Sequence, residues 1–257
     1  MCLLAIQYRL VPEAPILVAA NREEQYSRSS QVPSIQSGKP RVLSGVDLQA
    51  GGTWFGVNQH GLLVGVCNRP KSTPVPSPRS RGVLCRELLK AGSARKAVDM
   101  AMEELSTGRY EGCNFVAVDM ESGWAVHAGD EVEAVEMPDG LNVISNMDLN
   151  DPRDERGKMA RRLLTLQTLD SPVKFLAVAS KVFARSPTAP GRPSMVMRGS
   201  EKGTVSSTLV ALGKKPRDAI YQFAGGPPDQ TKYEDYSPLL RDILSRGLRE
   251  SRTKAKA

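Results

Sequence analysis

Histidine is nearly absent from this chain, with only His60 and His127 among 257 residues. Cysteine is sparse, and Cys2, Cys67, Cys85 and Cys113 lie far apart. No CxxC or HxxxH spacing occurs, which excludes the usual structural zinc sites. Four scattered cysteines are also too few for the disulfide framework of a small secreted domain. No run of ~18 apolar residues exists, so no membrane-spanning helix is expected. No basic start followed by a long apolar stretch opens the chain, so no signal peptide is expected. These absences predict a cytoplasmic protein with reduced thiols, no metal site and no required cofactor.

What remains is ordinary globular material. The chain is 40% hydrophobic and 25% charged, with enough length for a substantial core. The net charge of +7 is unevenly placed. The segment from Arg69 to Arg81 reads RPKSTPVPSPRSR, with four basic residues, four prolines and no acid. From Ser237 to Ala257 there are six basic and two acidic residues. Each segment therefore carries +4, which leaves −1 for the rest. A basic tail can meet nucleic acid or anionic lipid. This one has no aromatic residue after Tyr236, and the whole chain is only 5% aromatic. That is poor material for stacking bases, so nucleic acid is not an expected partner.

Hydrophobic periodicity predicts strands at 2–8, 15–20, 54–58 and 62–67, the last two flanking a Gln59-His60-Gly61 turn. The proline-rich basic stretch follows as a loop. Helical stripes then run over 80–91 and 93–105, with Ser93 as an N-cap. Strands are expected again at 114–119, 124–128, 131–136 and 141–145, then helices at 153–166 and 173–183. A second proline loop spans 186–193. Strands at 205–212 and 219–223 and a short helix over 239–249 complete the reading. Hairpins outnumber strand–helix–strand units, which favours antiparallel sheets. The expected architecture is α+β, a four-layer αββα sandwich of two mainly antiparallel sheets, each covered by a helix pair. Residues 1–236 read as one domain, and 237–257 as a basic, partly helical tail.

Cys2 is distinguished by its position. Removal of Met1, which a small second residue permits, would put a thiol and an α-amine on one residue. An α-amine titrates near ~8 and can accept a proton near neutrality. A thiolate is a strong nucleophile. Nucleophile and base would then need no histidine. The alternative is a small buried cysteine in an edge strand. Asn21-Arg22-Glu23-Glu24 follows the second strand, where an acid can orient the amine and an arginine can hold a carboxylate or a thiolate. Asn68 ends the strand of a Gly51–Arg69 segment, and Asn146 ends another strand. Either amide can donate to a developing oxyanion, although strand-end asparagines are also ordinary turn residues.

In combination these segments resemble the NRDE family, also called the transport and Golgi organisation 2 family. The resemblance rests on Met1-Cys2, Asn21-Arg22-Glu23-Glu24, Gly51–Arg69, Gly112-Cys113-Asn114-Phe115, Ser145-Asn146 and Gly203-Thr204-Val205-Ser206-Ser207-Thr208. It implies an N-terminal-nucleophile hydrolase fold, and more distantly a likeness to cholylglycine hydrolase and penicillin V acylase. It further implies Cys2 as nucleophile, Glu23 as the orienting acid, and Asn68 and Asn146 as active-site amides. Asn21, Arg22 and Trp54 are the expected substrate-binding residues. The chain departs from the pattern at Glu23, where the family name carries aspartate. It also has Ala20 and Val205 where relatives place arginines.

The implied activity is that of an amide (C–N) hydrolase or acyltransferase acting on a small acylated amine. The alternative is a non-catalytic protein on the same fold that binds or traffics haem, acyl-CoA or another apolar ligand. Cys2, His60 and His127 are the side chains available to ligate haem iron. Oligomeric state is not legible from the sequence.

Overall fold

The computed structural model of the chain describes residues 2–186 and 193–254. Most of the second proline-rich loop and the last three residues of the basic tail lie outside the described residues.

The chain opens with six strands: β1 (Leu3–Tyr8), β2 (Ile16–Gln25), β3 (Ser30–Gln36), β4 (Val42–Asp47), β5 (Phe55–Asn58) and β6 (Leu63–Asn68). Helices α1 (Arg81–Leu88) and α2 (Ala94–Leu105) follow. Strands β7 (Cys113–Val118), β8 (Gly123–Ala128), β9 (Val132–Glu136) and β10 (Gly140–Ile144) come next. Helices α3 (Glu155–Leu164) and α4 (Pro172–Phe183) lead to β11 (Lys202–Leu212), β12 (Ile220–Ala224), β13 (Glu234–Asp235) and α5 (Ser237–Lys254).

Two antiparallel sheets result. The first has the order β10-β1-β2-β11-β12-β13, the second β3-β4-β5-β6-β7-β8-β9. Strand periodicity divides the side chains between layers. On β1 and β2, Leu4, Ile6, Ile16 and Val18 enter the core between the sheets. Their neighbours Leu3, Ala5, Leu17 and Ala19 face the other way, onto α3 and α4. The second sheet does the same, with Leu63 and Cys67 between the sheets and Leu62 and Val64 against α1 and α2. Three apolar layers therefore separate four layers of structure, the expected αββα sandwich. Both faces of each sheet are covered, so its central strands are buried almost without interruption.

The helix starts follow capping chemistry. Ser80, Ser93, Asp154 and Ser171 each accept a hydrogen bond from a backbone amide in the first turn that follows. β3 and β4 are harder to read. β3 is exposed over much of its length, includes Pro33, and shifts register against β4 between Gln31 and Ser34. These are the marks of an edge strand, which needs no apolar alternation.

The segment expected as a tail is a helix docked on the domain. Leu240 and Ile243 are fully buried in the core between the sheets. Arg241 Nε donates to the Ala219 carbonyl at 2.8 Å, and Gln59 Nε2 to Glu250 Oε2 at 2.7 Å. Gly247 permits the close approach, because a Cβ there would lie 1.9 Å from the Gln59 carbonyl oxygen. Leu240→Ala should therefore destabilise the whole domain by about 2–5 kcal/mol, read from urea unfolding.

Candidate active site

The N-terminal strand end is held on both sides. β1 pairs with β2 in the register Leu3↔Asn21, and β2 with β11 in the register Asn21↔Ser207. One residue further, Arg22 faces Ser206 but Glu23 faces Thr204, so Val205 is the extra residue of a bulge. Continuing the β1–β2 ladder places Cys2 beside Arg22, with its backbone nitrogen leading toward Glu23.

Cys2 is 8% exposed and borders a cleft of about 210 Å³. Arg22, Glu23, Glu24, Trp54, Asn68 and Arg81 also line it, Glu23 with its carboxylate drawn back toward α3. The Cys67 thiol, on the facing sheet, hydrogen-bonds the Cys2 thiol. That donation, helped by the Glu23 backbone amide, lowers Cys2 to about 7 despite burial and the Glu23 charge. The same contact, with burial, pushes Cys67 well above the ordinary thiol value. One thiol of the pair is thus poised to ionise and the other to stay protonated as donor. Alkylation of Cys2 by iodoacetamide should reach half its maximal rate near pH 7. In Cys67→Ala the donor is gone while burial remains, so the midpoint should move to higher pH.

Strand alternation divides the Asn21–Glu24 segment between two faces. Asn21 turns to the helices, where Nδ2 donates to the carbonyls of Phe183 and Met195 at 3.0 and 2.9 Å. Glu23 turns the same way and meets Arg156 of α3 in a two-pronged ion pair. Arg156 Nη1 donates to Oε2 at 2.9 Å, and Nη2 donates to Oε1. Arg156 also donates to the carbonyls of Ser194 and Met195. Burial raises the Glu23 carboxyl, and the Arg156 contacts oppose that rise. Arg22 turns to the cleft, its guanidinium 4.1 Å from the Trp54 ring centroid. It donates to Ser30 Oγ at 3.2 Å and lies 3.8 Å from Glu24. Gly45 leaves room for this stack, since a Cβ there would come within 2.5 Å of the Trp54 ring.

The two amides are placed differently. Asn68 ends β6 on the exposed rim of the cleft. Asn146 follows the last β1–β10 pair, Leu4↔Ile144, by two residues in a bend. Its amide oxygen accepts from Ser145 Oγ at 3.1 Å, and it is not among the described residues lining the cleft. A buried network holds its loop. Asn114 Nδ2 donates to the carbonyls of Ser145 and Met147, at 3.0 and 2.8 Å. His127 Nδ1 lies 2.9 Å from Asn114 Oδ1, and the Leu149 amide donates to Nε2 at 3.2 Å. The proton therefore sits on Nδ1, and burial lowers the imidazole below its ordinary value. Both nitrogens of His127 are committed to this loop, so iron ligation there would dismantle the network. His60 is an exposed turn residue whose backbone amide donates to Asn58 Oδ1 at 2.8 Å. Among the described residues, no three His, Cys, Asp or Glu side chains gather as a metal site.

Two participants are hard to see in the sequence. Cys67 reads as core, and it is buried, but it also touches Cys2. Arg156 sits in the first turn of α3, where the helix dipole disfavours a cation. That misplacement is the one local sign that it serves a partner elsewhere.

The profile of the family described as Transport and Golgi organisation 2 matches residues 1–183. The chain belongs to this family. Curated Transport and Golgi organization 2 homologues from Mus musculus and Homo sapiens are each 31% identical, over 111 and 114 residues. Each match covers 42% of this chain and 40% of the relative's length. Solved structures extend the likeness to the fold of this Transport and Golgi organisation 2 family member. The Caenorhabditis elegans N-acylethanolamine-hydrolyzing acid amidase ortholog has a TM-score of 0.52 at 14% identity, covering 81% of this chain and 92% of its own. Penicillin V acylase from Agrobacterium tumefaciens has a TM-score of 0.51 at 12% identity, covering 93% and 88%. The C2A mutant of conjugated bile acid hydrolase from Clostridium perfringens has a TM-score of 0.50 at 12% identity, covering 93% of both chains. The fold is thus that of the N-terminal-nucleophile hydrolases. Among the described residues, no helix is long and apolar enough to cross a membrane.

Proposed function

We propose that this chain is an N-terminal-nucleophile amide hydrolase or acyltransferase whose nucleophile is Cys2 once Met1 is removed. The observation that carries the reading is Cys2 at a cleft wall with its thiol lowered to about 7 by Cys67. The substrate class is a small acylated amine. The α-amine of Cys2 takes the thiol proton, and Sγ attacks the acyl carbonyl carbon. Asn68, at the cleft rim, would donate to the oxyanion, and Asn146 would be the second amide. The C–N bond breaks, and the departing amine leaves with the proton held by the α-ammonium. Water, or a second amine, then attacks the thioester and restores the thiol.

Glu23 would orient the α-amine while Arg156 holds its carboxylate in place. Ala20 lies two residues before Arg22 on the same strand face, so Arg22 supplies the cation that Ala20 cannot. Arg22 and Trp54 would form the substrate wall, and Asn21 would brace the strand beneath them. The amidase, acylase and bile acid hydrolase neighbours support this chemistry by analogy of fold. The four cysteines are free, the state that a reducing cytoplasm maintains.

Two measurements test the reading. Intact mass of purified protein should lack Met1; retention of Met1 leaves no α-amine on Cys2 and sinks the mechanism. Incubation with chromogenic N-acyl anilides of varied chain length should then release amine and leave a hydroxylamine-sensitive acyl adduct on Cys2. A processed protein that forms no such adduct with any of them would count against the reading.

A further inference from the structure

Cys2 and Cys67 come from opposite sheets and meet in the core between them. Their thiols are in hydrogen-bond contact, and only Cys2 of the pair borders the cleft. The other two cysteines are elsewhere. Cys85 and Cys113 lie in the apolar layer on the far face of the second sheet, under α1 and α2. The structure thus holds one thiol that a small solute can reach and a second thiol already against it. Nothing in the amide chemistry requires that second group to be a cysteine.

We propose that Cys2 and Cys67 form a redox modification site, in which a peroxide oxidises Cys2 and Cys67 resolves the product as a disulfide between the two sheets. The Cys2 sulfur attacks one peroxide oxygen; the S–O bond forms, the O–O bond breaks, and the departing hydroxide leaves as water with the thiol proton. Cys2 is then a sulfenic acid. The Cys67 sulfur attacks the Cys2 sulfur; the S–S bond forms, the S–O bond breaks, and hydroxide leaves as water with the Cys67 proton. Two thiols are oxidised to one disulfide, and one peroxide is reduced to two waters. A dithiol reductant reverses the change by exchange.

Contact is the physical reason for the second step. A sulfenic acid in solution waits for a thiol, whereas this one forms beside its partner. Cys67 needs no access to solvent, because its only reaction is with the sulfur it already touches. The disulfide would silence the nucleophile while shielding it from irreversible sulfinic oxidation. It needs neither turnover nor loss of Met1, so its fate is separable from that of the amide reading.

The test is limited oxidation of the full-length protein with hydrogen peroxide, followed by intact mass, thiol counting and peptide mapping. The expected wild-type product has lost two hydrogens and two alkylatable thiols, carries a Cys2–Cys67 cross-link, and returns to the starting mass with dithiothreitol. Cys67→Ser and Cys67→Ala, checked for native circular dichroism, should instead give a dimedone-trapped sulfenic acid at Cys2 that proceeds to the sulfinic acid. Cys85→Ser should behave as wild type. A wild-type protein that gains oxygen at Cys2 as the Cys67 variants do, or cross-links through Cys85 or Cys113, would overturn the proposal.

Discussion

Cys2→Ala should lower amide cleavage by roughly 10⁴-fold or more, because the mechanism has no other group able to form the acyl adduct. The loss should appear in kcat, with substrate binding little changed, since the cleft walls remain. Stability should fall only modestly. Cys2 lies at the edge of the core where it borders the cleft, so the alanine removes one sulfur and leaves little sealed void. Rapid alkylation should vanish in the same variant, because burial still pushes Cys67, Cys85 and Cys113 upward, although Cys67 loses the further rise that its Cys2 contact gave. Cys2→Ser is the sharper comparison. It keeps the shape and puts a hydroxyl where the thiol was, but a hydroxyl lacks the low ionisation that Cys67 confers on the thiol. Residual turnover in the serine variant with none in the alanine variant would identify the side chain as nucleophile. Turnover equal to wild type in the alanine variant would remove Cys2 from the chemistry.

Arg156→Ala should destabilise the protein by about 3–5 kcal/mol, since it takes the two-pronged cation from the buried Glu23 carboxylate and leaves only weaker contacts such as Thr204. The effect should depend on pH. Burial already raises Glu23, and losing the guanidinium raises it further. A raised carboxyl is favourable to folding only while protonated, so its contribution is present below the unfolded value near ~4.3 and lost as pH rises through the folded value. The variant should therefore be closest to wild type in mild acid and furthest from it at neutral pH and above. Adding Glu23→Gln removes the buried charge that Arg156 balanced and should recover part of the loss. Urea unfolding of wild type, Arg156→Ala, Glu23→Gln and the double variant across pH measures both the size and the coupling. Equal destabilisation at all pH values would mean that Arg156 acts by packing and carbonyl contacts alone.

Much of the candidate site was legible because its residues sit at strand ends. Cys2, Arg22 and Asn68 each follow or close an apolar run, and all three reach the cleft. Glu23 was legible as an acid but not in its facing, which depends on strand alternation and on α3 standing behind the strand. Asn146 was legible as a strand-end amide, yet its present placement depends on His127 and Asn114 holding the loop from another sheet. β3 escaped periodicity because an exposed edge strand needs none. The docking of α5 escaped because charge dominates its composition, whereas Leu240, Ile243 and Gly247 decide its position.

By itself the sequence determined the helices, most strands, their order and the antiparallel sandwich, because periodicity, caps and turns act over a few neighbouring residues; β3, β4 and β13 lay outside that reading. It also determined the scarcity of histidine and the place of Cys2, which together direct attention to a nucleophile able to carry its own base. Only the tertiary structure decided which groups meet. Cys67 meets Cys2 from the opposite sheet, Arg156 meets Glu23 across 133 positions of chain, and Gln59 meets Glu250 across 191. Those meetings depend on ladder register and on which layer lies against which face. No local pattern of residues encodes either.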